Sequence, residues 1–195
     1  MPRVKGSSHP VEDEPKLVSR SQTGDQEAFA RLYDAYLERI YRYVFFRVAD
    51  EQLAEDISSE VFLKAWEKLD TYQSGSSPFI AWLYRIAHNA VIDHYRTRKV
   101  AVKLDDVRPA EISHDDHADD ELDLQIELEQ LQRGLQELTE EQKQVLILKF
   151  IQGLSTPQIA SQLGKQQGAV RALQMRALQG LARVLELEEE KIFGR

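Results

Sequence analysis

Leu154-Ser155-Thr156-Pro157-Gln158-Ile159-Ala160-Ser161-Gln162-Leu163-Gly164-Lys165-Gln166-Gln167-Gly168-Ala169-Val170-Arg171 is the stretch on which the fold turns. Ser155 followed three residues later by Gln158 is a capping box, and Pro157 sits in the first turn, where a missing amide costs nothing. Ile159, Ala160 and Leu163 give a short helix one apolar face, and Gly164 breaks it. A second helix starts near Gln166 or Gln167 and turns Val170, Leu173, Ala177, Leu181 and Val184 inward. Two helices joined by a tight glycine turn make a helix-turn-helix, whose second helix reads duplex DNA in the major groove from its N-terminal end. Gln167, Arg171, Gln174 and Met175 fall on its outward face. Arg171 suits a guanine edge, and Gln167 or Gln174 an adenine. Lys165 and Arg176 are better placed for phosphates. Helical hairpins of this size also occur in proteins that never meet DNA, so the stretch decides the fold before it decides the function.

The chain on either side is helical in rhythm. Leu138-Thr139-Glu140-Glu141-Gln142 is another capping box, with Val145, Leu146, Leu148 and Phe150 after it and Gly153 as the stop. A weaker rhythm starts at Leu122 and runs through Ile126, Leu128, Leu131, Leu135 and Leu138. Towards the N-terminus, Asp25 is placed to cap a helix of about 24 residues. Its apolar positions Phe29, Leu32, Tyr33, Tyr36, Leu37, Ile40, Tyr41, Val44 and Val48 recur every three or four residues. The next helix, from Asp50, carries Leu53, Ile57, Val61, Phe62, Ala65 and Trp66 on one face and Glu55, Asp56, Ser59, Glu60 and Lys64 on the other. After the loop 72–78, Ser77-Pro78 starts a helix reaching about Lys99. Phe79, Leu83, Ile86, Ala87 and Ala90 point inward there, and Trp82, Arg85, Asn89, Asp93 and Arg96 form an outer stripe. With no sustained strand alternation, the chain is read as all-α.

The 195 residues carry a net charge of −8 and no cysteine. The absence of cysteine excludes a disulfide framework, a thiolate metal site and a cysteine nucleophile. No apolar run approaches the roughly 20 residues of a membrane span, and Met1–Pro15 has no apolar core of a secretory signal. These readings point to a cytoplasmic protein without membrane insertion. An acidic total argues against nucleic acid unless its distribution says otherwise. Residues 105–129 hold eleven acids and the single base Arg108, a charge of −10, so the rest of the chain sums to +2. That acidic segment, with Pro109 and little apolar periodicity in its first half, reads as a linker. The expected organisation is a tail (1–15), a helical domain (16–100), an acidic tether (101–124), a second helical domain (125–187) and a short C-terminal tail (188–195).

Within the first domain, residues 85–103 contain five bases and one acid. Cations, an amide and an aromatic on one helix face suit single-stranded or distorted DNA, because cations track phosphates and flat groups stack on extruded bases. The plainer readings are that Trp82 is a core tryptophan and that the terminal arginines and lysines answer the helix dipole. His88 and His94, six residues apart, fall on opposite faces and make poor metal ligands. His114 and His117 lie among linker acids and are read as solvated. No cofactor or metal is expected.

Taken together, these motifs resemble the sigma-70 family of bacterial RNA polymerase sigma factors. Gly24-Asp25-Gln26-Glu27-Ala28-Phe29, the run Ala54–Trp66 and Trp82-Leu83-Tyr84-Arg85-Ile86-Ala87-His88-Asn89 resemble region 2. Leu138-Thr139-Glu140-Glu141-Gln142 and Gly168-Ala169-Val170-Arg171 resemble region 4. The short length and the lack of regions 1.1 and 3 are similar to the extracytoplasmic-function class. The resemblance implies that Glu55, Asp56, Ser59, Glu60 and Leu63 would dock on core RNA polymerase. Tyr72, Ser76, Trp82, Arg85, His88, Asn89 and Arg96 would recognise and hold open the −10 element. Lys165, Gln167, Arg171, Gln174, Met175 and Arg176 would read the −35 element. It implies no catalysis by the chain itself, a monomer when free, and an anti-sigma factor as a further partner. Ser59 departs from the glutamine common in the family, and Gln166-Gln167 from a Ser- or Thr-type cap. The competing reading is a helical interaction protein or decoy that binds polymerase or an anti-sigma partner without recognising promoters. A dimeric helix-turn-helix regulator is a further alternative.

Overall fold

A computed structural model of the chain describes residues 13–75, 77–101 and 129–193, with main chain only at 98–101 and 186–193. Every regular element among them is helical. They divide into two compact units. The first runs to Val44 and resumes over Gln52–Val100; the second takes Phe45–Glu51 and the residues from Ala101 onward. The linker acids between 105 and 128, His114, His117 and Ser76 lie outside the described residues.

In the first unit, α1 (Glu14–Gln22) precedes α2 (Gln26–Val48, its last turn in the second unit), α3 (Glu51–Glu67), a 3-10 turn (Leu69–Thr71) and α4 (Phe79–Ala101). α1 begins inside the stretch read as a tail, and Glu14 explains why: it accepts hydrogen bonds from the Tyr36 hydroxyl and, at 3.4 Å, from the Phe79 N–H. Asp25 caps α2 as expected, accepting from the Ala28 N–H at 3.0 Å while Arg20 Nε donates to its other oxygen at 2.8 Å. Those two contacts, the amide first, hold the Asp25 carboxyl below its usual value. α2 buries Ala28, Leu32, Tyr36, Ile40 and Tyr43 at steps of three and four, while Phe29 and Tyr33 meet Trp66 and Phe62 edge-on at 4.9 and 4.7 Å between ring centres. α3 supplies Ile57, Val61 and Phe62, and α4 supplies Phe79, Leu83, Tyr84 and Val91. Each such side chain contributes about 1.5–3 kcal/mol by leaving water. Burial pushes the Tyr84 phenol up to about 12.

In the second unit, α5 is described over 129–136, followed by α6 (Glu140–Leu146), a π-helical turn (Ile147–Ile151), α7 (Thr156–Leu163) and α8 (Gln167–Phe193). Thr139 and Gln142 close the expected capping box: Thr139 N–H donates to Gln142 Oε1 at 3.1 Å, and Gln142 N–H to Thr139 Oγ1 at 3.4 Å. The π turn is a departure. Its extra residue per turn slips the apolar rhythm, so Leu148 is buried but Phe150 emerges 60% exposed. Gly164 ends α7 at φ 62°, a left-handed conformation that suits a residue without Cβ. α8 then buries Val170, Leu173 and Ala177, with Leu181 and Val184 half-buried. Arg47 is fully buried in this unit and pairs with Glu140, while Gln136 Nε2 donates to its carbonyl at 3.2 Å. Lys143 Nζ reaches Gln136 Oε1 at 2.8 Å and Glu140 Oε1 at 3.4 Å. Burial pushes the Glu140 carboxyl up, but the charges of Arg47 and Lys143 outweigh it and hold it below the usual value.

Candidate nucleic-acid interface

Three surfaces carry the residues singled out by the sequence. On α3, packing of Ala54, Ile57, Ser58, Val61 and Phe62 forces the opposite side outward. Glu55, Asp56, Ser59, Glu60 and Leu63 are all exposed there, Leu63 by 58%. Lys64 Nζ holds Glu60 Oε1 at 2.5 Å, so one cation is folded onto an otherwise acidic face. An exposed leucine among carboxylates suits a basic protein partner with an apolar seat, and it repels DNA.

The second surface is a groove of about 380 Å3 between the 3-10 turn and α4, lined by Lys68, Thr71, Tyr72, Gln73, Trp82, Arg85, Ile86 and Asn89. Its geometry corrects the outer stripe. Trp82 is only 8% exposed and Tyr72 6%. Tyr72, Phe79 and Trp82 pack their rings together at 5.2–5.4 Å, because the loop 72–78 must return the chain onto the start of α4. The return is pinned at both ends. Gln22 Nε2 donates to the carbonyls of Leu69 and Tyr72 at 2.9 and 2.8 Å, and Tyr72 OH donates to the Ser77 carbonyl at 2.7 Å. Burial and then the charge of Glu14 push the Tyr72 phenol up. The two rings therefore line the groove as packed side chains instead of standing free. Ile86, expected inside, is half-exposed and lines the same groove. Arg85, Asn89 and Arg96 are exposed as expected, and His88 is half-buried. Sequence reading missed Lys68; the signal was its place just before the short turn Leu69–Thr71, which brings it, with Gln73 of the loop 72–78, to the groove. The result is a slot with aromatic edges, two cations and two amides, which can take a flat base and its phosphates. A neighbouring groove of about 360 Å3 on the other side of Tyr72 is lined by Glu14, Pro15, Val18, Ser74, Gly75, Ser77 and Pro78. With an acid and no cation it suits a polyanion poorly.

The third surface is the helix-turn-helix. Ser155 N–H and hydroxyl both donate to Gln158 Oε1, at 2.9 and 2.7 Å, and Ile159 and Ala160 anchor α7 on the unit's core. Gln167, Arg171, Met175 and Arg176 are exposed on α8, Met175 by 61%. Gln174 departs from expectation: it is half-buried, and its Nε2 is out of solvent without a hydrogen-bond partner. It follows the buried Leu173, and the turn of the helix carries it towards the core edge instead of outward. Lys165 is half-buried and tied by a 2.8 Å hydrogen bond to Glu141 Oε1, so it is not a free phosphate contact in this conformation. Among the described residues, no group of three or more His, Cys, Asp and Glu is arranged to hold a metal, and no helix is long and apolar enough to cross a membrane.

Two family matches fall on these units in order. Sigma-70 region 2 matches residues 32–100, and sigma-70 region 4 matches residues 128–181. The ECF RNA polymerase sigma factor BldN of Streptomyces coelicolor is 37% identical over 87% of this chain, which spans 65% of that protein's length. The ECF RNA polymerase sigma factor SigX of Bacillus subtilis is 30% identical over 86% of this chain and 88% of its own. Among solved structures, CnrH in complex with the cytosolic domain of CnrY matches 90% of this chain and 99% of its own, at 26% identity and a TM-score of 0.69.

Proposed function

The chain belongs to the sigma-70 family of RNA polymerase sigma factors, in its extracytoplasmic-function class, and from that premise we propose that it is a promoter-specificity subunit working in the cytoplasm. The observation that carries this reading is the pairing of sigma regions 2 and 4 in order on one chain, each with a polar, cation-bearing surface: the groove at α4 and the N-terminal half of α8. Region 2, over about 16–100, engages core polymerase through the exposed face of α3 and receives the −10 strand at the groove of Lys68, Tyr72, Trp82, Arg85 and Asn89. Region 4, over about 125–187, presents Gln167 and Arg171 to base edges of the −35 duplex, with Arg176 beside the backbone. The chain supplies recognition, and the polymerase makes the RNA. A protein partner of the anti-sigma kind is a further expectation, supported by the relative CnrH having been solved with a bound protein domain.

Run-off transcription with core polymerase tests the reading. Adding the chain should produce transcripts from a subset of promoters that core polymerase alone ignores. A chain that binds polymerase yet starts no transcript would be a decoy, and the proposal would be wrong.

A further inference from the structure

Glu141 lies in the first turn of α6, between the capping residues Thr139 and Gln142, and its carboxylate reaches Lys165 in the turn of the helix-turn-helix. The two side chains are 24 residues apart, so the contact is not a by-product of helical spacing. The carboxylate is well exposed, with 61% of its side chain accessible, while Lys165 is less so at 31%. Lys165 holds the Glu141 carboxyl below its usual value by hydrogen bond and by charge; a small desolvation opposes this, and the charge of Arg176 adds to it. Both cations assigned to backbone phosphates therefore lie in the field of one acid.

We propose that Glu141 is a built-in competitor for duplex phosphate: it holds Lys165 in the unbound chain and must yield it when region 4 docks on DNA. The inference rests on the reading of α8 as the −35 reader and goes beyond it by naming the residue that weakens binding there. A phosphate oxygen and the Glu141 carboxylate are chemically alike to an ammonium group, so they compete for the same donors on Lys165. When phosphate takes the lysine, the displaced carboxylate stays nearby and repels the backbone. This keeps region 4 weak on random duplex, which suits a chain whose DNA binding depends on polymerase.

The test uses the full chain and a fluorescent duplex of arbitrary sequence, titrated across a range of salt, with Glu141→Gln, Lys165→Ala and the double variant. Glu141→Gln should tighten binding about threefold to tenfold at low salt, with the gain fading as salt rises. The gain should shrink clearly when Lys165→Ala is added, leaving only the share owed to the carboxylate's own repulsion and to Arg176. If Glu141→Gln changes nothing while Lys165→Ala weakens binding, Lys165 is a phosphate contact that Glu141 does not govern, and the proposal is overturned. An equal gain with and without Lys165 also overturns it, since the acid would then act only as bulk charge. If Lys165→Ala is silent in both backgrounds, the assignment of Lys165 to phosphate fails, and the competitor with it. Circular dichroism and the urea midpoint of each variant separate these outcomes from a damaged fold.

Discussion

Asn89 and Trp82 share a groove but not an environment, and the difference makes them separable. Trp82 is packed against Tyr72 and Phe79, so Trp82→Ala removes core as well as groove and should destabilise the first unit by about 3–5 kcal/mol. Asn89 is exposed, so Asn89→Ala should leave stability within about 0.5 kcal/mol of wild type. Promoter opening should nevertheless suffer in Asn89→Ala, read as lost permanganate reactivity of unpaired thymines in the holoenzyme complex. A footprint identical to wild type would remove Asn89 from the −10 site. Arg171 allows a similar separation. Arg171→Ala should cost about 1–3 kcal/mol at one base pair of the −35 element and flatten the preference there, whereas a uniform loss across a promoter library would make it a backbone contact. The positions of Arg85, Asn89, Gln167 and Arg171 were legible from helical spacing alone, because each lies opposite a buried stripe. Gln174 was not, and for Trp82 the sequence offered both an outer stripe and a core position, of which the core position holds. Each sits at the margin of its stripe, and which way a marginal residue turns depends on what the loop or neighbouring helix brings up to it. For Trp82 that is Tyr72, delivered by a turn whose path no periodicity encodes.

The elements themselves were largely readable where short-range chemistry sets them. Asp25 caps α2, Thr139 with Gln142 caps α6, and Gly164 ends α7, each through a bond spanning a few residues. The π turn at Ile147–Ile151 was not readable, since a nearly continuous apolar run, broken only by Lys149, gives no sign of an inserted residue. Nor was the role of α6 in holding Arg47, which depends on contacts across 93 residues. That pair makes a prediction about pH. A fully buried guanidinium needs its carboxylate partner, and breaking such a pair is strongly destabilising. Glu140 has a folded value below the 4.5 of a free carboxyl, so its contribution is complete above that pH and is lost as pH falls through the lower folded value. Glu140→Gln should therefore lower the urea midpoint of the second unit at neutral pH. The gap from wild type should close progressively as the pH drops below 4.5. A gap that stays constant into acid would mean that the carboxylate charge does not act through Arg47.

For the whole molecule, the charge distribution sets how the chain meets DNA. A net −8 is the sum of a −10 segment at 105–129 and a remainder of +2, and few of the exposed cations lie at the groove of α4 or on the reading face of α8. Each unit alone then makes few phosphate contacts, and affinity for duplex in the absence of polymerase should be weak, on the order of 10⁻⁴–10⁻⁶ M, and steep in salt. On polymerase, two weak sites held on one body act together, because the second engages at a high effective concentration. The acidic segment opposes only the free encounter: its charges repel a duplex over a Debye length, about 10 Å at 0.1 M salt. Replacing its eleven acids by amides takes the chain from −8 to +3. Such a variant should bind arbitrary duplex several-fold more tightly at low salt, and the difference should fade as salt shortens the reach of the charge. Specific transcription from a cognate promoter should then lose ground to competitor DNA, measured by adding random duplex to run-off reactions. If duplex binding at low salt does not change, the segment stays clear of DNA approaching either unit, and the weakness of the free chain must come from the units' own surfaces, with Glu141 the first residue to test.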